Sequence, residues 1–150
     1  MPYERMLAGR WSERDRIYLA TTRTFQRRPL FREFLAAASL AKELHELERA
    51  GGVHLLAWVV MPDHLHLIAQ LLDMSLPNVM RRLKGRSSRA IGMLGRASGP
   101  VWQHGYHERA VRREEDVRSL ARYVCANPVR AGLVRSVRDY PFWDACWLEE

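Results

Sequence analysis

Residues 16–25 (RIYLATTRTF) place β-branched and aromatic side chains in partial alternation with polar ones, which predicts a first strand. From Pro29 to Ala50 the pattern changes period. Leu35, Leu40, Leu44 and Leu47 recur at helical spacing until Gly51-Gly52 stops them, which predicts a first helix. Residues 53–60 (VHLLAWVV) form a short continuous apolar run, the mark of a strand buried on both faces. Met61-Pro62-Asp63 breaks that run with turn chemistry, and residues 64–71 (HLHLIAQL) then read as a strand running back antiparallel to it.

Ser75 is placed to cap a second helix, with Pro77 tolerated in its first turn. Leu76, Val79, Met80, Leu83, Ile91 and Leu94 supply its apolar side; Arg81, Arg82, Lys84, Arg86 and Arg89 occupy the other. After a loop from Gly95 to Pro100, residues 101–111 (VWQHGYHERAV) read as another strand. Glu114, Glu115 and Asp116 favour the positive end of a third helix that runs to about Ala126, where Asn127-Pro128 disfavours continuation. A further short turn through 129–133 is compatible with the pattern. The aromatic tail (DYPFWDACWLEE) is expected to pack on the core. The order β-α-β-β-α-β followed by a helix is that of an α+β fold, a ferredoxin-like or RRM-like antiparallel sheet with helices on one face. With no repeat or linker, residues 1–150 read as a single domain.

Composition changes this picture in one respect. Lys plus Arg number 24 against 17 Asp plus Glu, a formal net charge of +7, and all but Lys42 and Lys84 of the basic residues are Arg. Arginine pairs bidentately with phosphate and stacks on bases, so the excess points to a nucleic acid as partner, although a GC-rich genome also writes Arg for Lys. Two cysteines, Cys125 and Cys146, are too few for a disulfide framework or a four-thiolate zinc site. No apolar run reaches the ~18–20 residues of a membrane span, and the charged amino-terminal stretch lacks a secretory pattern. A cytoplasmic protein without membrane contact is the expectation.

Three constellations carry candidate chemistry. His64 and His66 sit at i and i+2 of a strand, so both imidazoles project from one face, the beginning of a divalent-metal site; two polar residues on a solvated strand would look the same. Tyr123 and Asn127, four apart on the third helix, share a helix face. They offer a phenol nucleophile and an amide oxygen, though Tyr is often a core residue and Asn before Pro a helix stop. The third is the basic side of the second helix (MRRLKGRSSRAI) followed by WQHGYHERAVRR, where Arg81, Arg82, Lys84, Arg86 and Arg89 would contact phosphates. Trp102 would offer a surface for base stacking, and Arg10 and Arg14, beside Trp11, could reach a single strand.

Together these segments resemble a known group. WVVMPDHLHLI is similar to the His-hydrophobic-His motif of the HUH endonucleases, and ARYVCANPVRAGLV resembles the nucleophile helix of the REP-associated tyrosine transposases. RRLKGRSSRAI, GPVWQHGYHERAVR and the terminal DYPFWDA resemble the same group in order, so the likeness runs from about Tyr18 to Trp147. It implies a metal-dependent enzyme that nicks and rejoins single-stranded DNA at hairpins formed by palindromic repeats, with a C-terminal nucleophile helix. Tyr123 would be the nucleophile, forming a 5′-phosphotyrosine link. His64 and His66 would hold Mg²⁺ or Mn²⁺, with Asn127 where the wider group usually carries a Gln as third ligand. A monomer or a homodimer would both fit.

The chemistry is coherent on its own terms. A phenol with a pKa near 10 attacks poorly at neutral pH unless developing charge is stabilised, which a cation at the scissile phosphate would do. Imidazole ligands favour transition metals, so Mn²⁺ should serve at least as well as Mg²⁺. Two rivals remain at this point. One is a non-catalytic hairpin-binding module of the same fold; the other is a metal hydrolase that completes His64 and His66 with a carboxylate such as Asp63 or Glu108.

Overall fold

The computed structural model describes residues 15–95 and 98–149. Arg10, Trp11 and Arg14 lie outside the described residues. The elements follow in the order β1 (Ile17–Arg23), α1 (Phe34–Arg49), β2 (Val53–Met61), β3 (His64–Leu71), α2 (Leu76–Met93), β4 (His107–Val111), α3 (Glu114–Cys125), α4 (Asn127–Arg130) and β5 (Trp143–Ala145). The strands form one sheet in the order β4-β1-β3-β2-β5, every adjacent pair antiparallel. The expected α+β sheet is thus present, with one strand more than the pattern predicted.

Period-2 alternation divides each central strand between two layers. Along β3, Leu65, Leu67, Ala69 and Leu71 join Leu40, Leu44 and Leu47 of α1 and Val79, Met80, Leu83 and Ile91 of α2 in one core. The opposite surface of the sheet carries Val59, Met61 and Ile68, and α3 packs there through Val117, Ala121, Val124 and Cys125. The third helix therefore covers the other side from α1 and α2, whereas the sequence pattern put the helices on one face. β2 is buried along all its length but His54, because both layers close over it. That explains its uninterrupted apolar run.

Local chemistry sets the ends. Ser75 Oγ accepts the Asn78 N–H at 3.3 Å and caps α2. Two short 3₁₀ turns, Phe25–Arg27 and Leu30–Arg32, take up the chain before α1, so the helix begins at Phe34 rather than near Pro29. β4 is shorter than expected. Gly105, at φ +84°, breaks the run 101–111, and Trp102 pairs only through an isolated bridge to Thr24. The tail folds back as expected: Tyr140 donates its hydroxyl to the Val60 carbonyl, and β5 adds to the edge of β2.

Candidate active site and nucleic-acid interface

The two-residue turn Pro62-Asp63 delivers β3 with His64 and His66 on the sheet surface that α3 covers. His66 lies opposite Val59 on β2 and Thr21 on β1; His64 lies opposite Met61 and Arg23. The two imidazoles meet edge to face with ring centroids 4.7 Å apart. Each is tied by its Nδ1. His64 Nδ1 is 2.7 Å from Asp63 Oδ1, and His66 Nδ1 is 2.7 Å from Thr21 Oγ1. The Asp63 carboxylate can only accept, so the His64 Nδ1–H donates to it and leaves the Nε2 lone pair for a cation. The Thr21 hydroxyl orients the His66 ring, and in the tautomer in which it accepts the Nδ1 proton the second Nε2 is available too.

Electrostatics favours the ligating form. Burial, with the positive charges of His64, Arg130 and Arg23, pushes the His66 imidazole down to about 4, so it is neutral at pH 7. Burial opposes ionisation of the Asp63 carboxyl, but the hydrogen bonds and charges of His64 and Arg27 outweigh it and hold the group below its ordinary value. Arg27 Nε reaches Asp63 Oδ2 at 3.1 Å, and the Asp63 carbonyl accepts the Thr24 N–H at 3.0 Å. Asp63 therefore braces an imidazole and the segment after β1 at once.

Tyr123 projects from α3 with 60% of its surface exposed, so it is not one of the core tyrosines. It opens onto a groove of about 550 Å³ between the end of β4 and α3, lined also by Arg109, Arg112, Arg113 and Ser119. Seven residues on, in α4, Arg130 lies over the Tyr123 ring, with its guanidinium carbon 3.6 Å from the ring centre. Its Nη1 donates to the Tyr123 carbonyl at 2.6 Å and its Nη2 to Asn127 Oδ1 at 2.8 Å. Arg130, Thr21 and Arg113 were not singled out from the sequence. A legible signal existed for Arg130, which follows Asn127 by three residues and Tyr123 by seven, spacings that return to one helical face.

The donor set suits a divalent cation in part. Among the described residues no group of three or more His, Cys, Asp or Glu side chains is placed to hold a metal ion. Two imidazoles with braced orientation do fit borderline metals, and a third protein donor would have to be of another kind, such as the Asn127 amide. The carboxylate rivals fare differently from each other. Glu108 lies opposite Ala20, on the α1–α2 side of the sheet, away from the imidazoles. Asp63 is beside them, but already bonded to an imidazole Nδ1.

The residues expected to contact DNA separate into distinct roles. Arg81 and Arg89 are exposed and Arg82 partly so, on the outward side of α2; Arg81 Nη1 bonds Asn78 Oδ1 at 2.6 Å. Arg86 pairs with Glu43 at 2.7 Å across to α1. Lys84 Nζ donates to the carbonyls of Gln103 and Gly105 at 2.9 and 2.8 Å, and burial lowers its proton affinity, so it pins a loop. Trp102 is 7% exposed, packed on Phe31 at 5.4 Å with its indole N–H donated to Ser87 Oγ at 2.9 Å. It is a core residue with no free face for stacking a base. The α2 arginines and the Tyr123 groove lie on opposite layers, joined around the β4 edge.

Comparison with known proteins bears on the family and the fold. Residues 15–127 match the family described as Transposase IS200 like. The chain is 35% identical over 88 residues to the REP-associated tyrosine transposase of Escherichia coli (strain K12), across 57% of this chain and 50% of that protein. It is 27% identical over 100 residues to a putative REP-associated tyrosine transposase of Haemophilus influenzae, across 55% of this chain and 53% of that protein. The chain spans about half the length of the curated relatives it matches. A solved REP-associated tyrosine transposase bound to a REP hairpin superposes with a TM-score of 0.73 at 27% identity, covering 87% of this chain and 76% of that one. A putative transposase from Deinococcus radiodurans shares the fold, with a TM-score of 0.55 at 23% identity over 72% of this chain and 87% of that one. On the strength of the match across 15–127, this chain belongs to the IS200-like transposase family.

Proposed function

We propose that this chain nicks and rejoins single-stranded DNA beside hairpins formed by palindromic repeats, using Tyr123 as nucleophile. The observation that carries the reading is placement. The two Nδ1-braced imidazoles and the helix bearing an exposed phenol share one surface of the sheet. The relative bound to a REP hairpin supports DNA hairpins as the partner.

His64 and His66 would hold Mg²⁺ or Mn²⁺, with the Asn127 amide oxygen as third protein donor. Such a cation supplies charge neutralisation at a phosphate oxygen in the transition state. The chain's own residues do the rest. Arg109, Arg112 and Arg113 line the groove beside Tyr123 and draw a phosphodiester against it. The Tyr123 oxygen attacks phosphorus, the bond to the 3′-oxygen breaks, and the strand leaves as a 3′-OH carrying a proton. A 5′-phosphotyrosine link remains, and attack by another 3′-OH reverses the step without ATP. The hairpin stem is assigned to the Arg81, Arg82 and Arg89 side of α2, with the single strand passing the β4 edge into the groove.

The test is a labelled hairpin oligonucleotide incubated with Mn²⁺ or Mg²⁺ and resolved under denaturing conditions. A DNA–protein adduct should form, and should disappear in Tyr123→Phe, in His64→Ala and on adding chelator. Tight hairpin binding without any adduct would leave the non-catalytic module as the function.

A further inference from the structure

We propose that Arg130 is the positioning residue of this site, holding the Tyr123 ring and the Asn127 amide in one arrangement so that nucleophile and candidate ligand are set together. The inference rests on the reading of Tyr123 as nucleophile, and it adds a residue to which that reading assigns no part. An exposed tyrosine on a helix has free rotamers, and ordering it costs entropy. Here the ring is 60% exposed, yet the carbon of a guanidinium lies over it, 3.6 Å from its centre. The same guanidinium is fixed at two further points, the Tyr123 carbonyl and Asn127 Oδ1. A planar fork that stacks and donates twice is something only arginine can supply; lysine would keep the charge and lose the geometry.

The local fold explains how the residue arrives there. α3 ends at Cys125, and the chain continues through a single turn, α4, around the buried Pro128. Gly132, at φ +76°, then ends it. This turn brings position 130 back beneath position 123. The positive charge of Arg130 also adds to the lowering of the His66 proton affinity. One residue thus lies over the phenol ring and bonds the amide.

Two measurements on the full chain test this. The first is the Tyr123 ring resonance in protein carrying ¹³C-labelled tyrosine, identified by its absence in Tyr123→Phe and recorded without metal. In Arg130→Ala and Arg130→Lys it should shift toward the position of a free tyrosine, while the resonances of Tyr18 and Tyr140 stay in place. The second is single-turnover adduct formation at saturating hairpin. Both variants should slow it by about tenfold to a hundredfold, as expected for a misplaced reacting group, with hairpin affinity changed less than about threefold.

An unmoved Tyr123 resonance in Arg130→Ala would overturn the proposal, as would a normal adduct rate in Arg130→Lys, which would show that charge alone suffices. Should the parent chain form no adduct, the proposed function fails, and the ring resonance still decides whether Arg130 holds Tyr123. Should Arg130→Ala fail to fold, Arg130→Lys carries both measurements.

Discussion

At the residue scale, the clearest lesson comes from Trp102. An indole amid basic residues has the composition of a stacking platform, but this one fills the space between Phe31 and α2 and hands its N–H to Ser87. Ser87 in turn donates to the Leu83 carbonyl at 2.7 Å, so the buried hydroxyl is satisfied on both counts. Replacing Trp102 by Phe removes the indole donor and part of a buried ring. The expected result is a loss of about 1–3 kcal/mol in urea denaturation with hairpin affinity unchanged; a large affinity loss at unaltered stability would return Trp102 to the interface. Nothing in one sequence separates an indole that reads a base from one that fills a core, because both want an aromatic beside a loop.

At the element scale, α2 is amphipathic as its spacing predicts, and its basic side divides its labour. Arg86 ties α2 to α1 through Glu43 and Lys84 ties it to loop 103–105; the proposed phosphate contacts therefore fall to Arg81, Arg82 and Arg89. Neutralising those three to Gln should lower the slope of log affinity against log salt by about 2–3, at roughly 0.9 for each phosphate that no longer meets a cation. Lys84→Met should instead destabilise the fold and leave the slope almost intact. An unchanged slope in the triple variant would place the DNA elsewhere. The strands show what was legible. β3 has the predicted bounds, since turn chemistry stands before it and an apolar–polar alternation runs through it. β4 was over-extended because VWQHGY imitates alternation up to Gly105, and β5 is only three residues, too short to leave a period. Which side of the sheet α3 would cover is a fact of three dimensions that no helical spacing encodes.

For the whole molecule, two layers of unequal depth flank one sheet. The α1–α2 layer is fully buried at Leu40, Leu44, Leu83 and Ile91, while the α3 layer is closed by partly buried Tyr140, Trp143 and Trp147. The shallower layer carries Tyr123. We expect it to open without unfolding the other, as regions with less buried apolar surface do. Cys125 reports this. Burial, then the charge of Asp144, push its thiol up to about 12, so at pH 8 only about one molecule in ten thousand carries the reactive thiolate. In a Cys146→Ser background, alkylation of Cys125 should be slow in the native protein. It should also respond to denaturant far less steeply than global unfolding does. A full unfolding slope would mean that both layers open together.

The Pro62-Asp63 turn has a consequence for how such a chain can vary. Because His64 and His66 alternate with Leu65 and Leu67, a residue inserted into this connection and taken up as a one-residue slip of β3 against β1 and β2 would thrust two leucines toward the α3 side and sink two imidazoles into oil. Loop length is usually the most forgiving trait of a protein. Here it behaves like a combination lock: a slip by one disrupts the imidazole pair and the core together, and only a longer turn or a bulge that keeps the pairing leaves the chain a way back.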